Sequence, residues 1–215
     1  MANKLAEGLI EHENQPRCWW CAAADDYRHY HDHEWGFPVA DDHRLFEKLA
    51  LEGFQSGLSW LTILRKRENF RRAFAGFDFR AIARWRASSR TEKLLQDPGI
   101  VRHRGKIEAT LHNARQAIAL ADEFGSLAAY VWRFEPDPSS RPKRVSKAAL
   151  MQLGKTPESI ALAKDLKRRG FRFFGPTTAY AFMQAMGLVN DHLEGCATRA
   201  RVARARARFV VPKPR

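Results

Sequence analysis

The sequence predicts a mainly α-helical protein, and three observations carry that expectation. Apolar residues recur at helical intervals through most of the chain, capping residues and prolines stand just ahead of those stretches, and strand-like alternation is almost absent. Glycines close the periodic stretches at Gly76, Gly125, Gly170 and Gly187. No internal repeat is visible.

Residues 1–16 are polar, hold few apolar anchors, and read as a loose N-terminal extension. From Arg17 to Pro38 aromatics and histidines crowd together without a clear period, as in short helical turns and loops packed by large side chains. Asp41 or Asp42 caps a helix running to about Glu52, with Leu45, Phe46 and Leu49 inward. Glu52 follows Leu45 by seven residues and Leu49 by three, so helical spacing sets a carboxylate on that apolar face. The next helix opens near Ser59 and carries Trp60, Ile63, Leu64, Phe70 and Phe74 to Gly76. Asp78 caps a short helix, and Ser89 with Glu92 has the spacing of a capping box for another, stopped by Asp97-Pro98-Gly99.

From Lys106, the residues Ile107, Leu111, Ala114 and Ile118 form the inner stripe of a longer helix closed by Gly125. Residues 127–134 read as a short helix, and Glu135 to Arg144, with three prolines, as a loop. Thr156-Pro157 has the form of a helix start and Gly170 that of its end. Pro176 opens a last helix, with Tyr180 and Met183 inside.

At 215 residues the chain can build one substantial core, or two small lobes sharing one. No apolar run approaches the roughly 20 residues that span a bilayer, and the N-terminus lacks the apolar stretch of a secretory signal. A cytoplasmic monomer, away from membranes, is the expectation. The net charge of +13 points to a polyanionic partner, nucleic acid before membrane. Part of that charge lies in residues 197–215, where seven Lys and Arg occur without an acid. That basic C-terminal tail also reads as a solvated or fraying helical end. Three cysteines, Cys18, Cys21 and Cys196, cannot all pair, which leaves metal binding or plain burial.

Three constellations carry chemistry. The tight segment from Gly170 to Gly175 joins two helices and leaves backbone amides at a helix N-terminus, a phosphate site bordered by Arg168, Arg169 and Arg172. An ordinary hairpin with a solvated basic rim is the alternative. Arg102-His103-Arg104-Gly105-Lys106 is a second such candidate. His192 and Cys196 are four apart, Cys18 and Cys21 three apart, and His29, His31 and His33 lie near them. Two thiolates with two imidazoles would form a closed zinc site of the structural type, and spacing alone is neutral on Cys21. Finally, Trp19, Trp20, Tyr27, Tyr30 and Trp35 form an aromatic cluster, with Trp60 just beyond Glu52. Such clusters are often core, but aromatic walls around one carboxylate also suit a flat cationic heterocycle.

These residues resemble the DNA-3-methyladenine glycosylase I family. The matching words include Tyr27-x-x-Tyr30-His31-Asp32-x-Glu34-Trp35-Gly36, Leu51-Glu52-Gly53-x-Gln55-x-Gly57-Leu58-Ser59-Trp60 and Arg102-His103-Arg104-Gly105-Lys106-Ile107. Lys167-x-Arg169-Gly170-Phe171 and Gly187-Leu188-Val189-Asn190-Asp191-His192 continue it, and the likeness runs from about Arg17 to Cys196. The resemblance implies a helix-hairpin-helix DNA glycosylase, with two helical lobes around a DNA-facing cleft, spanning residues 17–196. It implies one structural zinc held by Cys18, His31, His192 and Cys196, with Cys21 outside the set, tying the two ends of the fold together. Glu52 would hold the excised base, and Trp20, Tyr27, Tyr30 and Trp60 would line its pocket.

The implied reaction is monofunctional: a methylated base is flipped out of double-stranded DNA and hydrolysed off, leaving an abasic site. 3-Methyladenine is the expected base and 3-methylguanine a further candidate. Leu58, between Gly57 and Ser59, is a candidate for the apolar wedge that fills the gap, or else core. Gly170, Arg172 and Gly175 would hold the backbone. The rival readings are a zinc-stapled DNA-binding protein without catalysis, and a zinc hydrolase. Four protein ligands leave a hydrolase no open metal position.

Overall fold

A computed structural model describes residues 5–215. Helices dominate: α1 (Asp25–His33), α2 (Asp42–Gln55), α3 (Trp60–Ala73), α4 (Phe79–Ala83), α5 (Ala87–Leu95), α6 (Arg104–Phe124) and α7 (Leu127–Val131). They continue with α8 (Lys147–Gln152), α9 (Pro157–Arg168), α10 (Pro176–Ala185) and α11 (Ala197–Arg208). Helix α2 is central, touching α3, α6, α7 and α10. A single core runs from Tyr30 and Trp35 through Phe46, Phe54, Phe70 and Ile107 to Tyr130, Leu162 and Met183. A smaller cluster gathers Cys18, Val145, Leu193 and Cys196.

Most helix starts follow the local chemistry. Side chains of Asp41, Ser59, Asp78 and Thr156 accept from backbone amides of the turns they precede, and Gly125 ends α6 with φ +88°. Helix α5 departs from expectation: it begins at Ala87 behind Arg86, with no side-chain cap, so Ser89 and Glu92 lie inside the helix. The loop after Glu135 has one 3-10 turn, Pro138–Ser140, and α8 follows it.

Two terminal expectations are corrected. Residues 5–16 are not a loose extension: Leu9–His12 (β1) pairs antiparallel with Gln15–Cys18 (β2). Glu13 and Asn14 take positive φ, 52° and 57°, which makes the tight turn that matches strand twist. Residues 1–4 lie outside the described residues. At the other end α10 is not the last helix, because α11 folds back on the body. Arg206 forks onto Glu135 at 2.8 and 2.6 Å, and Phe209 stacks on Trp132 with ring centroids 4.6 Å apart. An arginine-rich stretch thus forms a packed helix because Val202 and Thr198 are buried and one arginine finds a carboxylate.

Gly187 is the tightest point in the backbone. Its φ is +78°, and a Cβ there would sit 2.5 Å from the carbonyl carbon of Phe37 and from the nitrogen of Pro38. Backbone cannot yield as a side chain would. Gly187→Ala should therefore cost at least about 2 kcal/mol from left-handed strain and overlap. At about 2–4 °C per kcal/mol for this chain length, a thermal melt should fall by about 4–8 °C. A melt within about 2 °C of the parent would refute the constraint.

Candidate functional site

Glu52 occupies the last turn of α2, only 5% exposed, because the amphipathic face that buries Leu45 and Leu49 carries it inward. One turn earlier on the same face lies Lys48, whose Nζ is 2.8 Å from Glu52 Oε1. Lys48 also donates to the Tyr30 hydroxyl at 3.0 Å and sits 3.2 Å from the centroid of the Trp60 ring. Burial pulls the Lys48 ammonium below its ordinary range, and the adjacent Glu52 charge opposes that pull. Among the described residues no protein donor reaches Glu52 Oε2. Lys106 of α6 reaches under the end of α2 and donates to the carbonyls of Phe54 and Ser56 at 2.9 and 2.5 Å, a cation placed at a helix C-terminus.

Glu52 and Lys48 face a cavity of about 340 Å³, within the roughly 300–1,000 Å³ range of small-molecule sites. Its walls are aromatic: Trp20 from a short 3-10 turn, Tyr27 and Tyr30 one helical turn apart on α1, and Trp60 at the start of α3. Trp20 packs on Tyr27 at 5.0 Å, and Tyr30 on Trp60 at 5.4 Å. Burial pushes the Tyr27 phenol up to about 12 and Tyr30 well above its usual value, so both rings stay neutral near pH 7. The Trp60 indole N–H is buried without a protein acceptor. Tyr180 and Gln184 of α10 close the far side, and both bond to the buried carboxylate of Asp191 at 2.5 and 2.9 Å. A flat heterocycle would find stacking faces and one free carboxylate oxygen.

Behind the aromatic wall the chain brings four metal-type ligands together. Cys18 ends β2, His31 lies on the inner face of α1, His192 follows α10, and Cys196 caps α11. His31 Nε2 is 3.6 Å from Cys196 Sγ, and His192 Nδ1 is 3.7 and 4.0 Å from Cys196 and Cys18 Sγ. The two ring nitrogens are 3.1 Å apart. A tetrahedral ion at ordinary zinc bond lengths would need about 3.6 Å for nitrogen to sulfur and about 3.3 Å for nitrogen to nitrogen. The donor set fits. The other ring nitrogens are also held in the manner of metal ligands: His31 Nδ1 meets Asp32 Oδ1 at 2.7 Å, and His192 Nε2 meets the Trp35 carbonyl at 3.0 Å. Hydrogen bonding to Cys196 and burial push the Cys18 thiol up. The same contact, aided by both imidazoles, holds Cys196 low. Cys21 bonds instead to the Cys18 carbonyl at 3.1 Å and stays outside the group, and His29 and His33 are exposed, stacked on each other.

The methyladenine glycosylase family model matches residues 20–200. DNA-3-methyladenine glycosylase 1 of Escherichia coli (strain K12) is 45% identical over 181 residues, covering 84% of this chain and 95% of the relative. A crystal structure of 3-methyladenine DNA glycosylase I superposes with a TM-score of 0.76 at 48% identity, covering 84% of this chain and 98% of that one. A variant of 3-methyladenine DNA glycosylase I in complex with 3-methyladenine superposes with a TM-score of 0.73 at 34% identity, over 83% of this chain and 96% of that one. The chain belongs to the methyladenine glycosylase family.

In this glycosylase the segment between α9 and α10 is a tight turn, with Gly170 at φ +89° and Gly175 preceding Pro176 at the start of α10. Gly175 faces open space, and no side chain caps α10, so its first amides are available. The arginines around the turn are not equivalent. Arg168 pairs with Asp165, and Arg169 with Asp165 and Glu123, whereas Arg172 is exposed and has no carboxylate partner among the described residues. The second candidate segment is largely committed elsewhere: Arg104 forks onto Glu92, His103 caps α6, and Lys106 is buried under α2. Leu58 stands 42% exposed beside Gly57 (φ +81°), on a shallow concavity that also touches Glu52, so the core reading of Leu58 fails.

Sequence reasoning missed Lys48, Asp32 and the Tyr180–Asp191 pair. Lys48 had a signal, because a lysine four residues before a carboxylate on one helix face is an ion-pair spacing. Asp32 stood next to a proposed ligand. Nothing local marked Tyr180 and Asp191 as partners, since they meet only through the turn at Gly187.

Proposed function

We propose that this glycosylase flips a methylated base out of double-stranded DNA and hydrolyses its glycosidic bond, releasing 3-methyladenine and leaving an abasic site. The observation that carries the reading is Glu52: a buried carboxylate with one oxygen free, set among aromatic faces in a cavity sized for a small molecule. Methylation at N3 makes the nucleotide base a cation and weakens its bond to the sugar, so the enzyme supplies orientation more than acid. Glu52 Oε2 accepts from the exocyclic amine, Tyr30 and Trp60 stack against the ring, and water takes the sugar carbon. Flipping costs a few kcal/mol, less for a damaged base.

Leu58 fills the vacated stack, and the amides at the start of α10, with Arg172 and the Gly170–Gly175 turn, hold a phosphate without reading sequence. In this reading α9, the turn and α10 are the helix-hairpin-helix unit. Cys18, His31, His192 and Cys196 would hold one zinc ion, whose chemistry is structural because no fifth position is left for substrate. The protein works as a monomer in the cytoplasm; among the described residues no helix is long and apolar enough to cross a membrane.

The deciding experiment incubates the protein with methylated duplex DNA and identifies the released bases. Free 3-methyladenine is expected, and 3-methylguanine in the same digest would widen the substrate range. Salt-dependent binding without base release would favour a non-catalytic DNA-binding protein. Leu58→Ala should lower single-turnover excision from duplex DNA by about tenfold, while excision from methylated single strands changes little. Equal losses on both substrates would sink the wedge.

A further inference from the structure

Helix α5 starts without the cap that α2, α3, α4 and α9 have. Arg86 precedes it, no side chain accepts from its first amides, and no acid lies in its first turn. The hydroxyl of Ser89 turns back to the Arg86 carbonyl at 3.3 Å and leaves those amides unserved. Unserved amides at the positive end of a helix suit an anion, although such an end is common and by itself marks nothing.

This one opens onto a concavity of about 240 Å³ between α5, α6 and the turn before α10. Ala87 and Ser88 supply the helix end, Arg115 comes from α6 and Arg172 from the turn. Both guanidinium groups are on exposed residues and have no protein hydrogen-bond or carboxylate partner among the described residues. Asn113 fixes the backbone from which Arg172 projects: its Oδ1 accepts from the Arg172 N–H at 2.9 Å, and its Nδ2 donates to the Arg172 carbonyl at 3.0 Å. The acid on the wall, Glu108, faces Arg104 at 3.7 Å. Thr91, one turn into α5 and only 2% exposed, also lines the wall, and its hydroxyl has no partner. An unpaired buried hydroxyl costs about 1–3 kcal/mol, which an anion or its bound water in the concavity would relieve.

Given the excision reading above, on which this rests, we infer that the concavity is a second phosphate site. It takes a DNA backbone phosphodiester other than the one gripped at the start of α10. Arg172 stands between the two sites, so backbone is held on both sides of it. The contact carries no base information, because arginines and helix amides meet only phosphate oxygens. It lengthens the footprint and steadies the duplex while the damaged base leaves the stack.

Two variants of the full chain test the site on unmodified duplex DNA. Ser88→Glu sets a carboxylate at the start of α5, where it stabilises the helix and takes the place of a phosphate. Its melt should hold or rise, while duplex affinity at about 0.15 M salt falls by about tenfold. Arg115→Ala removes an exposed, unpartnered guanidinium and leaves the helix end alone. In each variant the slope of log affinity against log salt should be shallower by about 1. Free 3-methyladenine, titrated by calorimetry, should bind both variants as it binds the parent. Parental salt slopes in both variants would overturn the site. Inorganic phosphate binding that Ser88→Glu abolishes, with duplex affinity unchanged, would assign the concavity to a free phosphate and overturn the DNA assignment. A parent that binds duplexes but releases no 3-methyladenine from methylated DNA would instead refute the excision reading, and the salt slopes would still report on the concavity.

Discussion

Glu52→Gln should release 3-methyladenine from methylated DNA at least about a hundredfold more slowly than the parent, with the fold retained. The substitution keeps the shape and a carbonyl that can accept from Lys48. With the carbonyl turned that way, the amide NH2 takes the place of Oε2, where it donates and no longer accepts from the base amine, and the negative charge beside the base is lost. The structural cost is bounded. Lys48 loses its counter-charge, a change worth about 1–3 kcal/mol for a hydrogen bond to a charged group. The check is a single-turnover assay beside a thermal melt, with Glu52→Gln/Lys48→Met as a companion. The double variant should recover the melt and stay inactive. Excision by Glu52→Gln within a few-fold of the parent would remove Glu52 from the chemistry.

Removing the metal should have the largest effect on stability. Metal analysis is expected to find one zinc per chain, and thorough chelation should lower the melting temperature by about 8–16 °C. That range follows from a ligand present at about a thousand times its dissociation constant, worth about 4.1 kcal/mol, and about 2–4 °C per kcal/mol at this size. The four ligands come from β2, α1, the segment after α10 and the start of α11, so their release frees both ends of the chain together. Excision should fall with stability, because Trp20 packs on His31 at 5.1 Å and Trp35 on His192 at 4.7 Å. His192→Ala should reproduce the chelated state, whereas Cys21→Ala should melt within about 3 °C of the parent and keep its zinc. A metal-free protein with an undisturbed melt would leave the cluster as ordinary packing.

Much of this was legible in the chain because local chemistry decides it. Asp41, Ser59, Asp78 and Thr156 cap where their side chains can reach the next turn's amides, and Gly125 and Gly170 end helices where only glycine sits at ease. Glu52 was visible as an acid on an apolar stripe. The misses share a cause. The first hairpin depends on Asn14 tolerating a left-handed turn and on the close approaches of Gly8 to Leu193 and of Gly195 to Leu9, contacts made between chain ends. The arginines of α11 look disordered one by one, and the helix is held by Glu135 and Trp132, more than sixty residues away.

The carboxylate at residue 52 shows the division most clearly. Helical spacing alone determined that Glu52 points inward and that Trp60 opens the following helix. The matched words of the sequence marked the four metal-type ligands. Tertiary structure alone decided that Lys48 and Glu52 share one cavity with Tyr30 and Trp60, and that Arg168 and Arg169 are spent on acids while Arg172 has no carboxylate partner among the described residues. Periodicity records which face of a helix avoids water. Which charges meet, and at what distance, follows only when several faces close on one another.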